Sequence, residues 1–206
     1  MLALSRSFAV TLIAASTLTA TAQKSDPPQP QSSAPQSAQP QPEAPLLTPA
    51  DLAAKVPAPK PDDVRSLDAI MHAVYDVISG PAGTRDWNRF RSLFLPSGRF
   101  TAIAKSPDGP ARIVSWGVDD YVRTATAIFA KEGFYENSIV NQPQTFGGMT
   151  QVFSSYESRH SPGEKPFQRG VNSFQLLNDG KRWWVVSILW DSERPDNPLP
   201  AKLASP

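Results

Sequence analysis

A carboxylate ends a long apolar run of the chain. Trp183-Trp184-Val185-Val186-Ser187-Ile188-Leu189-Trp190 leads directly into Asp191. A carboxyl group among apolar neighbours loses hydration of its charged form, which tunes it toward general acid or base work near neutral pH. Upstream, Tyr156 and Asn172 supply the donors that such chemistry uses to hold a developing oxyanion. Together with Ser154, Ser187, Trp183, Phe174 and Val185 they form the expected ligand-binding wall, and Asp191 and Tyr156 are the catalytic candidates. The chemistry this set suits is cofactor-free proton transfer on a small hydrophobic molecule. A second reading leaves Asp191 past the strand end, exposed or paired with an arginine.

Strands must position these residues. FYENSIV, MTQVFSSYESRH, PFQRGVNSFQLL and RWWVVSILWD read as four successive strands from their alternation. With Asp179-Gly180 as a two-residue hairpin loop, Asn172 falls opposite Ser187 and Phe174 opposite Val185. That register gives one face Trp183, Val185, Ser187, Leu189 and Asp191, and across the SPGEKP turn Thr150, Val152, Ser154, Tyr156 and Ser158. The opposite face carries Trp184, Val186, Ile188 and Trp190, an apolar patch expected to join a homodimer. A slip of one residue exchanges the two faces. Glu157 falls opposite Arg169 on the second face; the alternative turns Arg159 into the pocket as an anion clamp. Gly147-Gly148 reads as a bulge where the sheet bends.

Helices come first in the chain. Leu67, Ile70, Met71, Val74 and Ile78 make one apolar stripe, ended by Gly80-Pro81. A shorter helix follows Thr84 as N-cap, with Trp87, Phe90 and Phe94 on one side until Pro96-Ser97-Gly98. A hairpin turns at Asp108-Gly109, and a third helix runs from about Val118 to Lys131. Helices followed by long antiparallel strands mean an α+β fold.

Other chemistries find no support. His72 lies between Asp68 and Asp76 at helical spacing and reads as solvated; His160 sits at a hairpin end. Neither forms a metal-ligand spacing, and the chain has no cysteine, so no metal and no cofactor are expected. Twenty lysines and arginines against nineteen acids leave a net charge of +1, with no basic run, so nucleic acid is not an expected partner. Residues 1–22 read as a signal peptide: Arg6, an apolar run from Phe8 to Ala15, then Ala20-Thr21-Ala22. Export to the periplasm or beyond is the expectation, with no membrane span after cleavage. Residues 23–61 read as a disordered linker rich in Pro, Gln and Ser, in which TPADLAAK has room for one or two helical turns. Residues 62–198 form the domain and 199–206 a flexible tail.

The segment Trp87-x-x-Phe90-x-x-Leu93-Phe94-x-Pro96, a third helix, and long strands ending in DGKRWWVVSILWD resemble the nuclear transport factor 2-like superfamily, in its SnoaL-like branch. The resemblance covers Ser66 to Asp191 and implies a cone of curved sheet around three helices with a cavity between them. It also implies dimers in many members, and activities ranging from isomerases, dehydratases and cyclases to non-catalytic interaction modules. Several enzymes of that superfamily place a carboxylate base after the second helix. Here Pro96-Ser97-Gly98 stands there, and neither Asp86 nor Asp108 matches the position.

Overall fold

The computed structural model describes residues 46–105 and 109–205. The expected signal peptide, most of the linker and the centre of the first hairpin turn lie outside them. Two short helices open the described chain, α1 (Pro49–Ala53) and α2 (Pro61–Val64). The first is held by a capping box, in which Thr48 and Asp51 satisfy each other's backbone N–H groups. The main helices are α3 (Leu67–Ile78), α4 (Trp87–Leu93) and α5 (Val118–Phe129). Ser66 caps α3 through the Ala69 N–H, and Asp86, two residues beyond the expected Thr84, caps α4 through the Arg89 N–H.

Among the described residues six strands form one sheet: β1 (Phe94–Ala104), β2 (Arg112–Gly117), β3 (Tyr135–Phe146), β4 (Met149–Arg159), β5 (Gln168–Asn178) and β6 (Trp183–Ser192). Their order is β2-β1-β6-β5-β4-β3; β1 and β6 run parallel and every other pair antiparallel. The helices bury Ile70, Val74, Ile78, Phe90 and Phe129 against one face of this sheet. The α+β architecture is thus the expected one. Asp63, nearly buried, is held by Arg89 at 2.7 Å, and Arg89 also reaches Asp76 at 2.5 Å, so one guanidinium ties α2, α3 and α4 together.

Register decides what the sheet offers to the helices. Between β4 and β5 it is the expected one, with Ser154 opposite Asn172, Tyr156 opposite Gly170 and Glu157 opposite Arg169. Between β5 and β6 it differs for two reasons. The loop is four residues, Asp179 to Arg182, because the Asp179 carboxylate accepts the N–H groups of Lys181 and Arg182 and closes a wider turn. A β-bulge then leaves Val186 without a partner, since Leu176 pairs with Val185 and Gln175 with Ser187. Trp183 and Val185 keep their expected face, but beyond the bulge every side chain is reversed.

The correction is large. Ile188 and Trp190 turn toward the helices, while Ser187, Leu189 and Asp191 turn away. The expected dimer patch of Trp184, Val186, Ile188 and Trp190 is therefore not a surface. Trp184 is fully buried, its indole N–H bonded to Asp179 and its ring covered by the Arg182 guanidinium 3.7 Å from the centroid. Gly147-Gly148 is a two-residue hairpin turn between Phe146 and Met149, with Gly147 at φ +57°, and not a bend within a strand. At the C-terminus, α6 (Ala201–Ala204) packs on β3 and β4 and buries Leu203, where the sequence suggested a loose tail.

Candidate functional site

Between the helices and the sheet lies a cavity of about 380 Å³. Residues Tyr75, Ile78, Phe90, Tyr121 and Phe129 wall it from the helices, and Glu136, Tyr156, Asn172, Phe174, Ile188 and Trp190 from the sheet. Aromatic side chains make up about half of the lining. Trp190 stacks on Trp116 at 5.9 Å, and Phe90, Phe100 and Tyr121 stack on one another. An apolar pocket with a few convergent polar groups is the usual form of a small-molecule site.

The polar groups converge on Glu136, which the sequence reading overlooked. Its carboxylate accepts a hydrogen bond from Ser158 Oγ at 2.7 Å and a longer one from Asn172 Nδ2 at 3.5 Å. The same Asn172 amide donates to the Tyr75 hydroxyl at 3.2 Å, and Tyr75 shares a 2.7 Å bond with Ser154. Half-buried amides need partners, and this network gives Asn172 two. No cation pairs with Glu136 among the described residues. Burial therefore dominates, against the two hydrogen bonds, and pushes the carboxyl up to about 7 from an ordinary 4.5. Burial and then the Glu136 charge raise the phenol of Tyr75; Tyr121 is raised in the same order. Tyr156 rises to about 12, chiefly by burial, partly offset by its 3.4 Å contact with Ser192.

Backbone geometry sets Glu136 in place. Ser79, the C-cap of α3, accepts the Glu136 N–H at 3.0 Å and donates to the Tyr75 carbonyl, pinning the helix end to β3. A bulge at Ile139 then brings Glu136 opposite Ser158, on the inner face. Gly170 leaves room for Tyr156, whose hydroxyl would stand 2.7 Å from any Cβ there. At the cavity rim the His160 ring stacks on Phe167 at 4.2 Å and meets the Gly133 carbonyl at 3.2 Å.

The other expected site residues are scattered. Tyr156, Asn172 and Phe174 border the cavity; Ser154 stands one layer behind, bonded to Tyr75. Val185 and Trp183 pack in the core away from it. Ser187 lies on the outer face, and so does Asp191, which is bound twice by Arg194 at 2.5 and 3.1 Å. That arginine holds the Asp191 carboxyl below the usual range, so it is no acid–base group for the cavity. Arg159 pairs with Glu157 at 2.7 Å and does not reach inward as a clamp. His72 is exposed. Among the described residues no cluster of histidines and acids is arranged to hold a metal.

The sequence matches no protein-family model and no curated protein. Solved structures do resemble it. A protein from Caulobacter vibrioides with a cystatin-like fold shares 15% identity over 64% of this chain and 90% of its own, with a TM-score of 0.50. A Nostoc punctiforme protein of unknown function with a cystatin-like fold shares 12% identity over 66% of this chain and 97% of its own, at a TM-score of 0.48. A Streptomyces avermitilis protein provisionally named a dehydratase of the nuclear transport factor 2-like family shares 17% identity over 66% and 99%, at 0.47. The chain has a cystatin-like fold.

Proposed function

We propose that this protein binds a small hydrophobic molecule in the cone cavity and moves a proton on it without a cofactor, with Glu136 as acid and base. The observation that carries this reading is a half-buried carboxyl on an apolar cavity wall, poised near neutrality with no cation to fix its charge among the described residues. Asn172 and Ser158 orient it. Tyr121 borders the same space and makes no side-chain hydrogen bond among the described residues, so its hydroxyl is free to donate to an oxyanion on the ligand. The competing reading, a non-catalytic module of the cell envelope, expects a cavity filled by side chains, and about 380 Å³ of open space speaks for the ligand.

The test uses 2-tetralone, a bicyclic ketone with acidic protons beside its carbonyl. Incubated in D2O with the mature chain, it should exchange those protons faster than in buffer, and Glu136→Gln should slow the enzymatic rate by about 100-fold or more. Equal rates for the two proteins remove Glu136 from the role. We also propose export, supported by the Arg6, Phe8 to Ala15 and Ala20-Thr21-Ala22 pattern; N-terminal sequencing of secreted material beginning at Gln23 tests it. Self-association is proposed through the outer sheet face instead of the buried tryptophan. Phe153 and Leu189, each more than two-fifths exposed, flank Ser173 in one cross-strand row there. A monomer at micromolar concentration in analytical ultracentrifugation removes that proposal.

A further inference from the structure

The cavity carries charge of one sign only. Glu136 stands in its wall and Glu132 at its rim, and no lysine or arginine lines it among the described residues. Three other enclosed carboxylates are paired with arginines: Asp63 with Arg89, Glu157 with Arg159, Asp191 with Arg194. Glu136, the carboxylate most enclosed by apolar groups, has only the neutral donors Ser158 and Asn172. An ionised carboxylate in such surroundings is costly until a cation comes to it. The cavity it borders is lined by the rings of Tyr75, Tyr121, Tyr156, Phe134, Phe174 and Trp190. Aromatic rings attract organic cations and do so more strongly when water is excluded.

We infer that the ligand is an apolar organic cation, an amine or ammonium compound, whose nitrogen pairs with Glu136 inside the aromatic cavity. The inference rests on the reading of this cavity as the functional site and narrows its ligand class. An uncharged hydrocarbon would fill the same space and leave Glu136 unpaired. An anionic ligand would meet two carboxylates and no counter-charge.

Benzyltrimethylammonium and its neutral isostere neopentylbenzene differ in one atom, nitrogen against carbon, and neither can lose or gain a proton. Any pH dependence of their binding therefore belongs to the protein. The groups that face Glu136 are Tyr75 from α3, Tyr121 from α5, Tyr156 and Ser158 from β4, and Asn172 from β5. His160 and Glu132 stand at the rim, and Asp68, His72, Asp76 and Arg159 lie along an outer groove that Glu136 also borders. Calorimetric titrations of the mature chain are run at pH 8.5 and 5.5, with Glu136→Gln and His160→Gln beside wild type.

Wild type should bind the cation at least about tenfold tighter than the isostere at pH 8.5. With Glu136 titrating at about 7, the cation should lose most of that advantage, about eightfold or more in affinity, by pH 5.5, because protonation removes the counter-charge. His160→Gln should keep both results. Glu136→Gln should keep affinity for the isostere, which shows the cavity intact, and lose the preference for charge. Equal or tighter binding of the isostere by wild type, or cation binding that ignores pH, overturns the ligand class. If tetralone exchange persists in that case, the proton-transfer reading stands on its own; loss of both removes the site.

Discussion

Replacing Glu136 by Gln should make the protein more stable above neutrality, although it removes the polar centre of the cavity. The carboxyl moves from an ordinary 4.5 when unfolded to about 7 when folded. The folded state thus holds its proton more tightly than the unfolded chain. Its contribution is fully present below pH 4.5 and is lost as the pH rises through 7. At about 1.4 kcal/mol for each pH unit of displacement, the loss amounts to about 3 kcal/mol by pH 8. Glutamine keeps the shape, can still accept from Ser158 or Asn172, and carries no charge to desolvate. Urea unfolding of wild type and Glu136→Gln at half-unit steps from pH 4.5 to 8.5 gives the difference directly, and contributions from all other groups cancel in it. The curves should converge at the acid end and separate by about 3 kcal/mol in favour of the variant at the alkaline end. Parallel curves across that range would show that Glu136 is as well hydrated in the fold as outside it and is no acid–base group near neutrality.

Other substitutions probe the frame around the site. Arg89→Ala leaves Asp63 nearly buried without its cation and should cost about 3 kcal/mol in denaturant unfolding at pH 7. That cost should shrink at acid pH, because Arg89 holds the Asp63 carboxyl below its usual range and the pair is lost on protonation. Gly133→Ala drives a Cβ into the His160 carbonyl oxygen and should cost about 1 to 3 kcal/mol in thermal unfolding while loosening the cavity rim. Asp191→Asn, remote from the cavity, should leave 2-tetralone exchange unchanged and cost less than about 1 kcal/mol of stability.

Much of this fold is legible in the residues. The stripe from Leu67 to Ile78 becomes α3, and the spacing of Tyr156 and Asn172 across SPGEKP gives the β4–β5 register. Those residues sit in regular alternation, where periodicity alone places them. The site's centre is hidden for the opposite reason. Taken as a two-residue hairpin, Gly147-Gly148 pairs Glu136 with Arg159 on the outer face by simple counting. Only the extra residue at Ile139 moves it opposite Ser158 and inward. Asp191 fails by the mirror of this error, since counting back from Asp179-Gly180 misses both the wider loop and Val186. Bulges insert a residue without changing composition, and neither hydropathy nor turn chemistry announces them.

The unpaired Val186 has an evolutionary and conformational consequence. Were the bulge to relax into regular pairing, the strand beyond it would rotate by half a turn. Ile188 and Trp190 would leave the cavity, and Ser187, Leu189 and Asp191 would enter it. A single backbone unit thus decides whether Ile188 and Trp190, or Ser187, Leu189 and Asp191, face the cavity. Substitutions in the hairpin that favour one pairing over the other can exchange the ligand chosen by the cone without altering any residue that touches it.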